Sequence, residues 1–289
     1  MTQIRTIVEE SSAAPTMEGA GVYLRRAFGF DSPQAHDPFL LFDDFRSDTP
    51  EQYRKGFPWH PHRGIETITY VLKGDVEHGD SLGNKGVISS GDVQWMTAGS
   101  GIIHQEMPKG DADGAMHGFQ LWLNLPAAEK MCRPRYRDIR SDAIPRITLA
   151  GGAECRIICG EINGVAGPVQ GISTEPQYFD ITLPPDTDFM YPTRFSDRAI
   201  AYVIAGSGGF SPGGSTVCVN RTVLLYSDGD EIQIRAGKEG LRFLLFLGKP
   251  LGESIAWQGP IVMNTREELE LAFLEYRQGT FLKHKKPAV

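Results

Sequence analysis

Three histidines and one glutamate, His60, His62, His104 and Glu106, fall into two i, i+2 pairs: HPH at 60–62 and HQE at 104–106. In an extended strand, residues i and i+2 project from the same face, so each pair aims two metal-binding side chains in one direction. The pairs flank a turn-rich stretch and use three of the seven histidines in the chain. Neutral imidazole and carboxylate are donors that divalent transition metals accept. Together the pairs read as one metal site; the alternative is a polar network in the mouth of a barrel.

Strands must carry these pairs. Thirty-three glycines and nineteen prolines cut the 289 residues into short apolar segments that alternate or are rich in β-branched and aromatic residues. Such patterning predicts strands, as in Ile65 to Leu72, Val93 to Met96, Phe119 to Leu125, Arg156 to Cys159, Ile200 to Ile204, Val217 to Tyr226, Ile232 to Ile234 and Leu241 to Leu247. Many short strands between turns imply an all-β fold of sandwiches or barrels. One helix is expected, Arg266 to Arg277, where Thr265 and Glu268 make a capping box and Leu269, Ala272, Phe273 and Tyr276 form an apolar stripe. That stripe should dock on the sheet.

An internal repeat sets the domain count. ITYVLKG (68–74) returns as IAYVIAG (200–206), displaced by 132 positions, and SSGDVQW (89–95) is echoed by SDGDEIQI (227–234). Two copies of one β-unit account for this. The polar stretch 134–146 marks the boundary, giving an N-terminal metal-binding domain, 1–135, and a C-terminal domain, 136–289. The stretch FMYPTRFSDR (189–198), which matches the HPH region, has no histidine, and after His117 only His284 remains. A histidine metal site therefore belongs to the first copy, and the second reads as scaffold or partner surface.

Other function classes are disfavoured. The cysteines Cys132, Cys155, Cys159 and Cys218 lack CxxC spacing and read as buried free thiols. No apolar run approaches the ~20 residues of a membrane helix and the first residues lack a signal-peptide core, so the expected compartment is the cytoplasm. A net charge of −7 gives no overall attraction to nucleic acid, and the basic run Lys283 to Lys286 reads as a solvated end. GSGGFSPGG (206–214) lacks a P-loop lysine and reads as a hairpin turn.

GFPWHPHRGIETITYVLKG (56–74) resembles the first motif of the cupins, small double-stranded β-barrels, and GDVQWMTAGSGIIHQEMP (91–108) resembles the second. With DPFLLFDDF (37–45) and PIVMNTREEL (260–269), the wording resembles the pirin family of bicupins over roughly residues 20 to 281. The resemblance implies two tandem cupin barrels with a C-terminal helix, and a metal in the first barrel held by His60, His62, His104 and Glu106. In generic cupins the carboxylate ligand would instead be Glu66, kept here as a group supporting the ligands. One divalent transition metal is expected, taken as Fe(II), with Mn, Co, Ni, Cu or Zn equally compatible with the donors. Several pirins show quercetin 2,3-dioxygenase activity, which implies a flavonol and O₂ as substrates, carbon monoxide as a product, and Glu106 as base. Other pirins bind transcription factors or metabolic enzymes, which implies a protein partner instead.

Phe57, Trp59, Met96 and Met107 flank the ligands and are candidate pocket walls. Arg63, of opposite parity to the histidine pair, is expected to face outward. His78 and His117 are expected to be exposed or hydrogen-bonded, and Asp43 and Asp44 to sit in a turn or at a sheet edge.

Overall fold

The computed structural model describes residues 2–213 and 216–284, and the fold is mostly β, as the alternation of its apolar residues requires. Gly214, Lys285 and Lys286, part of the expected turn and basic tail, lie outside the described residues. In the N-terminal half a seven-stranded antiparallel sheet runs in the order Arg135–Ile139, Val93–Thr97, Ile65–Lys73, His117–Asn124, Phe39–Asp44, Val22–Phe28, Ala14–Glu18. A four-stranded sheet, in the order Phe57–His62, Ile102–Lys109, Asp75–Asp80, Lys85–Ile88, forms the other wall of the same unit. Both histidine-bearing segments are therefore strands, and they are neighbours. The C-terminal half is a second β-unit around the long strand Glu231–Gly248, which fuses two segments expected to be separate. Each half is a cupin domain.

The units exchange their termini. One comprises residues 1–13, 36–38 and 142–250; the other comprises 14–35, 39–141 and 251–289. A split into 1–135 and 136–289 thus assigns both ends differently, and hydrogen bonding explains why. Ile7–Ser12 adds to the second barrel's sheet by pairing with Thr222–Tyr226. Residues after 250 return to the first barrel, where Val262 N donates to Arg63 O.

Arg63 holds that return in place and corrects the expectation that it faces outward. It is 2% exposed. Its guanidinium donates to Ser100 O and Phe281 O at 2.8 Å each and pairs with Glu275 at 2.8 Å. Opposite parity did place Arg63 on the other face of its strand, but the C-terminal segment covers that face.

The helix spans Arg266–Gln278 with the expected capping box and ends at Gly279 in the left-handed conformation. It buries Leu269 and Ala272 against Ile261, Met263 and Phe281, so it docks on the ribbon Ala256–Gln258/Ile261–Met263 rather than on a main sheet. None of the described helices is long and apolar enough to cross a membrane.

The repeat holds for one motif and shifts for the other. Thr69 of ITYVLKG pairs with Gln94, and Ala201 of IAYVIAG pairs with Leu224, so VQWMT corresponds to TVLLY. The SDGDEIQI stretch then takes the place of AGSGIIHQ: it pairs with Asp188–Pro192 as Ile102–Lys109 pairs with Phe57–His62. The shared Gly-Asp turn had suggested a different alignment.

Candidate metal centre

Antiparallel register sets His60 directly opposite His104, and His62 opposite Ile102. Same-face neighbours across such a pair stand about 5 Å apart at Cβ, close enough for imidazoles to meet. The Nε2 of His60 lies 3.1 Å from that of His62 and 2.9 Å from that of His104. His62 and His104 are buried. Burial lowers all three pKa values from the usual 6.5, and for His62 and His104 it does so strongly, with the neighbouring histidines adding to it. The rings are therefore neutral near pH 7.

Tautomers follow from the carbonyls behind the rings. His60 Nδ1 is 3.0 Å from Pro58 O, and His62 Nδ1 is 3.0 Å from Pro260 O. A carbonyl oxygen only accepts, so both Nδ1 atoms carry the hydrogen and both Nε2 atoms are bare lone pairs. Two lone pairs then face each other across 3.1 Å, which is repulsive unless a cation lies between them. Two nitrogens bound at right angles to one ion at roughly 2.1 Å would stand about 3 Å apart. The cluster could hold one metal ion, and the three residues form a group with ligand atoms within 4.8 Å of one another.

Glu106 is buried on the same strand as His104, outside that three-histidine group. Its Oε1 is 2.7 Å from Thr69 Oγ1, which is also 2.7 Å from Gln120 Oε1. One hydroxyl carries one proton. With Glu106 as carboxylate, Thr69 donates to it, and the Gln120 amide must turn its nitrogen toward Thr69. Glu66 lies elsewhere: on the Ile65–Lys73 strand its parity is opposite to that of Thr69, and Thr97 Oγ1 donates to it at 2.6 Å. Burial raises its pKa, but it does not support the histidines.

A cavity of about 420 Å³ lies in the same barrel, lined by His60, His62 and Glu106. Such a volume suits a small organic ligand. Family models now decide the relationship: a pirin model matches residues 21–123, and a pirin C-terminal cupin model matches 178–282. The chain belongs to the pirin family.

Among its relatives is a Pseudomonas aeruginosa protein, 44% identical over 96% of this chain and 99% of its own, whose name assigns it quercetin 2,3-dioxygenase activity provisionally. A pirin-like protein of Caulobacter vibrioides is 42% identical over 96% and 99%. Among solved structures, a quercetin 2,3-dioxygenase from Acinetobacter baumannii superposes with a TM-score of 0.87 at 30% identity, covering 96% of this chain and 98% of that one.

Of the four candidate wall residues in this pirin, Phe57 lines the cavity and the others do not. Trp59 is 52% exposed, and Met96 is packed in the core with Ile65 and Ile102. His78, expected at the surface or hydrogen-bonded, is buried, with its ring 5.3 Å from His104 and 4.9 Å from Tyr136. His117 is half-buried. Asp43 and Asp44 sit within the buried strand Phe39–Asp44, not in a turn, and each is paired with an arginine: Asp43 with Arg26 at 2.7 Å, Asp44 with Arg46. Asp43 lines the cavity, and so do Arg26, Gln120, Thr69 and Trp122, which escaped the sequence reading. One signal did exist: ITYVLKG has Thr69 where IAYVIAG has Ala201.

Proposed function

We propose that this pirin is a metal-dependent dioxygenase that opens the central ring of a flavonol with O₂ and releases carbon monoxide. The observation that carries the reading is the convergence of three neutral imidazoles, two of which, His60 and His62, line a largely apolar cavity that is also lined by the buried carboxylate of Glu106. The names of the Pseudomonas and Acinetobacter relatives point the same way.

His60, His62, His104 and Glu106 would hold one divalent transition metal, Fe(II) in this reading. When bound, the metal supplies Lewis acidity toward a chelating hydroxyl and a position for dioxygen. Pro58 O and Pro260 O accept from the Nδ1 atoms of His60 and His62, which fixes both Nε2 atoms inward. Glu106 takes the proton of the flavonol 3-hydroxyl, and the Thr69 hydroxyl at its Oε1 keeps that carboxylate oriented. Leu24, Leu41, Phe57 and Trp122 wall the cavity and exclude water from the reacting ring. A recessed, largely apolar cavity beside the histidines favours turnover over the alternative of a protein-binding surface.

The test is carbon monoxide in the headspace when the anaerobically purified, metal-loaded protein meets quercetin and O₂. Release matching quercetin loss is expected. Metal-loaded protein that releases none would replace the dioxygenase reading with a binding role.

A further inference from the structure

A row of polar side chains crosses the cavity wall at one level. Thr69 is the register partner of Gln120, Gln120 of Asp43, and Asp43 of Arg26, on four adjacent strands. Direct partners project from the same face, and all four line the cavity. With strands spaced about 4.8 Å apart, the row runs roughly 14 Å along the sheet. It begins at Thr69, beside Glu106, and ends at Arg26.

At the far end the charges are fixed by geometry. Arg26 Nε and Nη2 donate to the two oxygens of Asp43 at 2.8 and 2.7 Å, and its Nη1 pairs with Glu18 at 2.9 Å. Two carboxylates around one guanidinium leave an excess of acceptors and of negative charge. Glu18 is partly exposed, its side chain 40% accessible, so the end of the row is open to an incoming group. Aromatic rings line another part of the cavity. Trp122 stands edge-on to His62 at 5.0 Å between centroids, and Phe30, under the Arg26 guanidinium, marks the other end.

The fold does not require this polarity. In the second barrel the corresponding row is Ala201, Leu245, Phe179 and Ile157, joined by the same chain of register partners and fully buried in one apolar cluster. Burying amides and ions where the scaffold accepts aliphatic residues is destabilising. The polar row therefore has a task other than folding.

Resting on the reading of the cavity as a flavonol site, we propose that this row selects the substrate. Its class is an extended, multi-ring phenol that chelates at the histidine end and donates a distal hydroxyl to the Glu18–Arg26–Asp43 group. A single-ring catechol is too short to span the row, and an anionic substituent at the distal end meets two carboxylates. Glu18 and Asp43 are thus specificity determinants, remote from the reacting atoms.

The experiment reads binding by quenching of tryptophan fluorescence in the metal-loaded protein without O₂, so it does not depend on turnover. Quercetin is compared with the flavonol that has the same fused rings but no hydroxyl on its pendant ring. Wild type is expected to bind quercetin about tenfold more tightly, a typical effect of one hydrogen bond to a charged group. Glu18→Gln and Asp43→Asn should bring the ratio to within about twofold. A general structural disturbance would weaken both ligands together and leave their ratio unchanged. Equal binding by wild type, or a preference retained in Glu18→Gln, overturns the proposal, and Glu18→Gln decides alone if Asp43→Asn does not fold. Preference without carbon monoxide release would instead retire the dioxygenase reading and keep the selectivity row.

Discussion

The two barrels place opposite chemistry on the inner faces of matching strands. In the first, His60 pairs with His104 and His62 with Ile102; in the second, the buried pairs are Phe189 with Ile234 and Tyr191 with Ile232. The polar row of the first is aliphatic and aromatic in the second. One barrel therefore surrounds a cavity lined by imidazole, carboxylate and guanidinium, while its sister fills the same space with side chains. A cupin core needs no polar interior, so the polarity of the first barrel marks where function has displaced stability.

Substitutions that move one barrel toward the other give this contrast its sharpest tests. Glu106→Gln keeps the shape and removes the base. Carbon monoxide release should fall on the order of 10³-fold while metal content, read by elemental analysis, stays near that of wild type; equal losses of both would assign Glu106 to ligation alone. Leu245→Gln puts the amide of Gln120 into the filled barrel, where nothing receives it. Lost burial and an unmet amide should cost about 4 kcal/mol in urea unfolding.

A titration effect comes next. Burial pushes the Asp43 carboxyl up to about 6 from 3.8, against the pull of Arg26. A raised folded-state pKa means that the native state binds the extra proton, so stability is greatest below pH 3.8 and is lost as pH rises to about 6. Wild type should lose on the order of 2 to 3 kcal/mol across that window, and Asp43→Asn should lack this component in unfolding curves taken from pH 4 to 7. Phe179, at the equivalent place, titrates nothing. Smallest of all, Gln120→Leu should raise stability by about 1 kcal/mol and lower turnover by freeing Thr69. A variant that unfolds more easily would mean that the row also supports the fold.

Much of the site was legible because it is local. Two i, i+2 pairs disclose their common face without any tertiary information, and the strands that carry them do lie side by side. Thr265 and Glu268 likewise announced the helix from three residues' separation. The polar row was hidden because Arg26, Asp43, Thr69 and Gln120 meet only through the register of four strands, which no sequence window contains. Arg63 was misjudged because parity gives the face of a strand but not what covers it, here Phe281 and Glu275 from far along the chain. The exchanged termini belong to the same class, since pairing of Ile7–Ser12 with Thr222–Tyr226 leaves no local trace.

On this reading the first barrel holds the metal and the second does not. Elemental analysis of protein purified without chelators, wild type beside His62→Ala, tests it most directly. One transition-metal ion per wild-type chain, lost in His62→Ala while unfolding stays cooperative, is the result this account predicts. Two ions per chain, or one that survives His62→Ala, would contradict it.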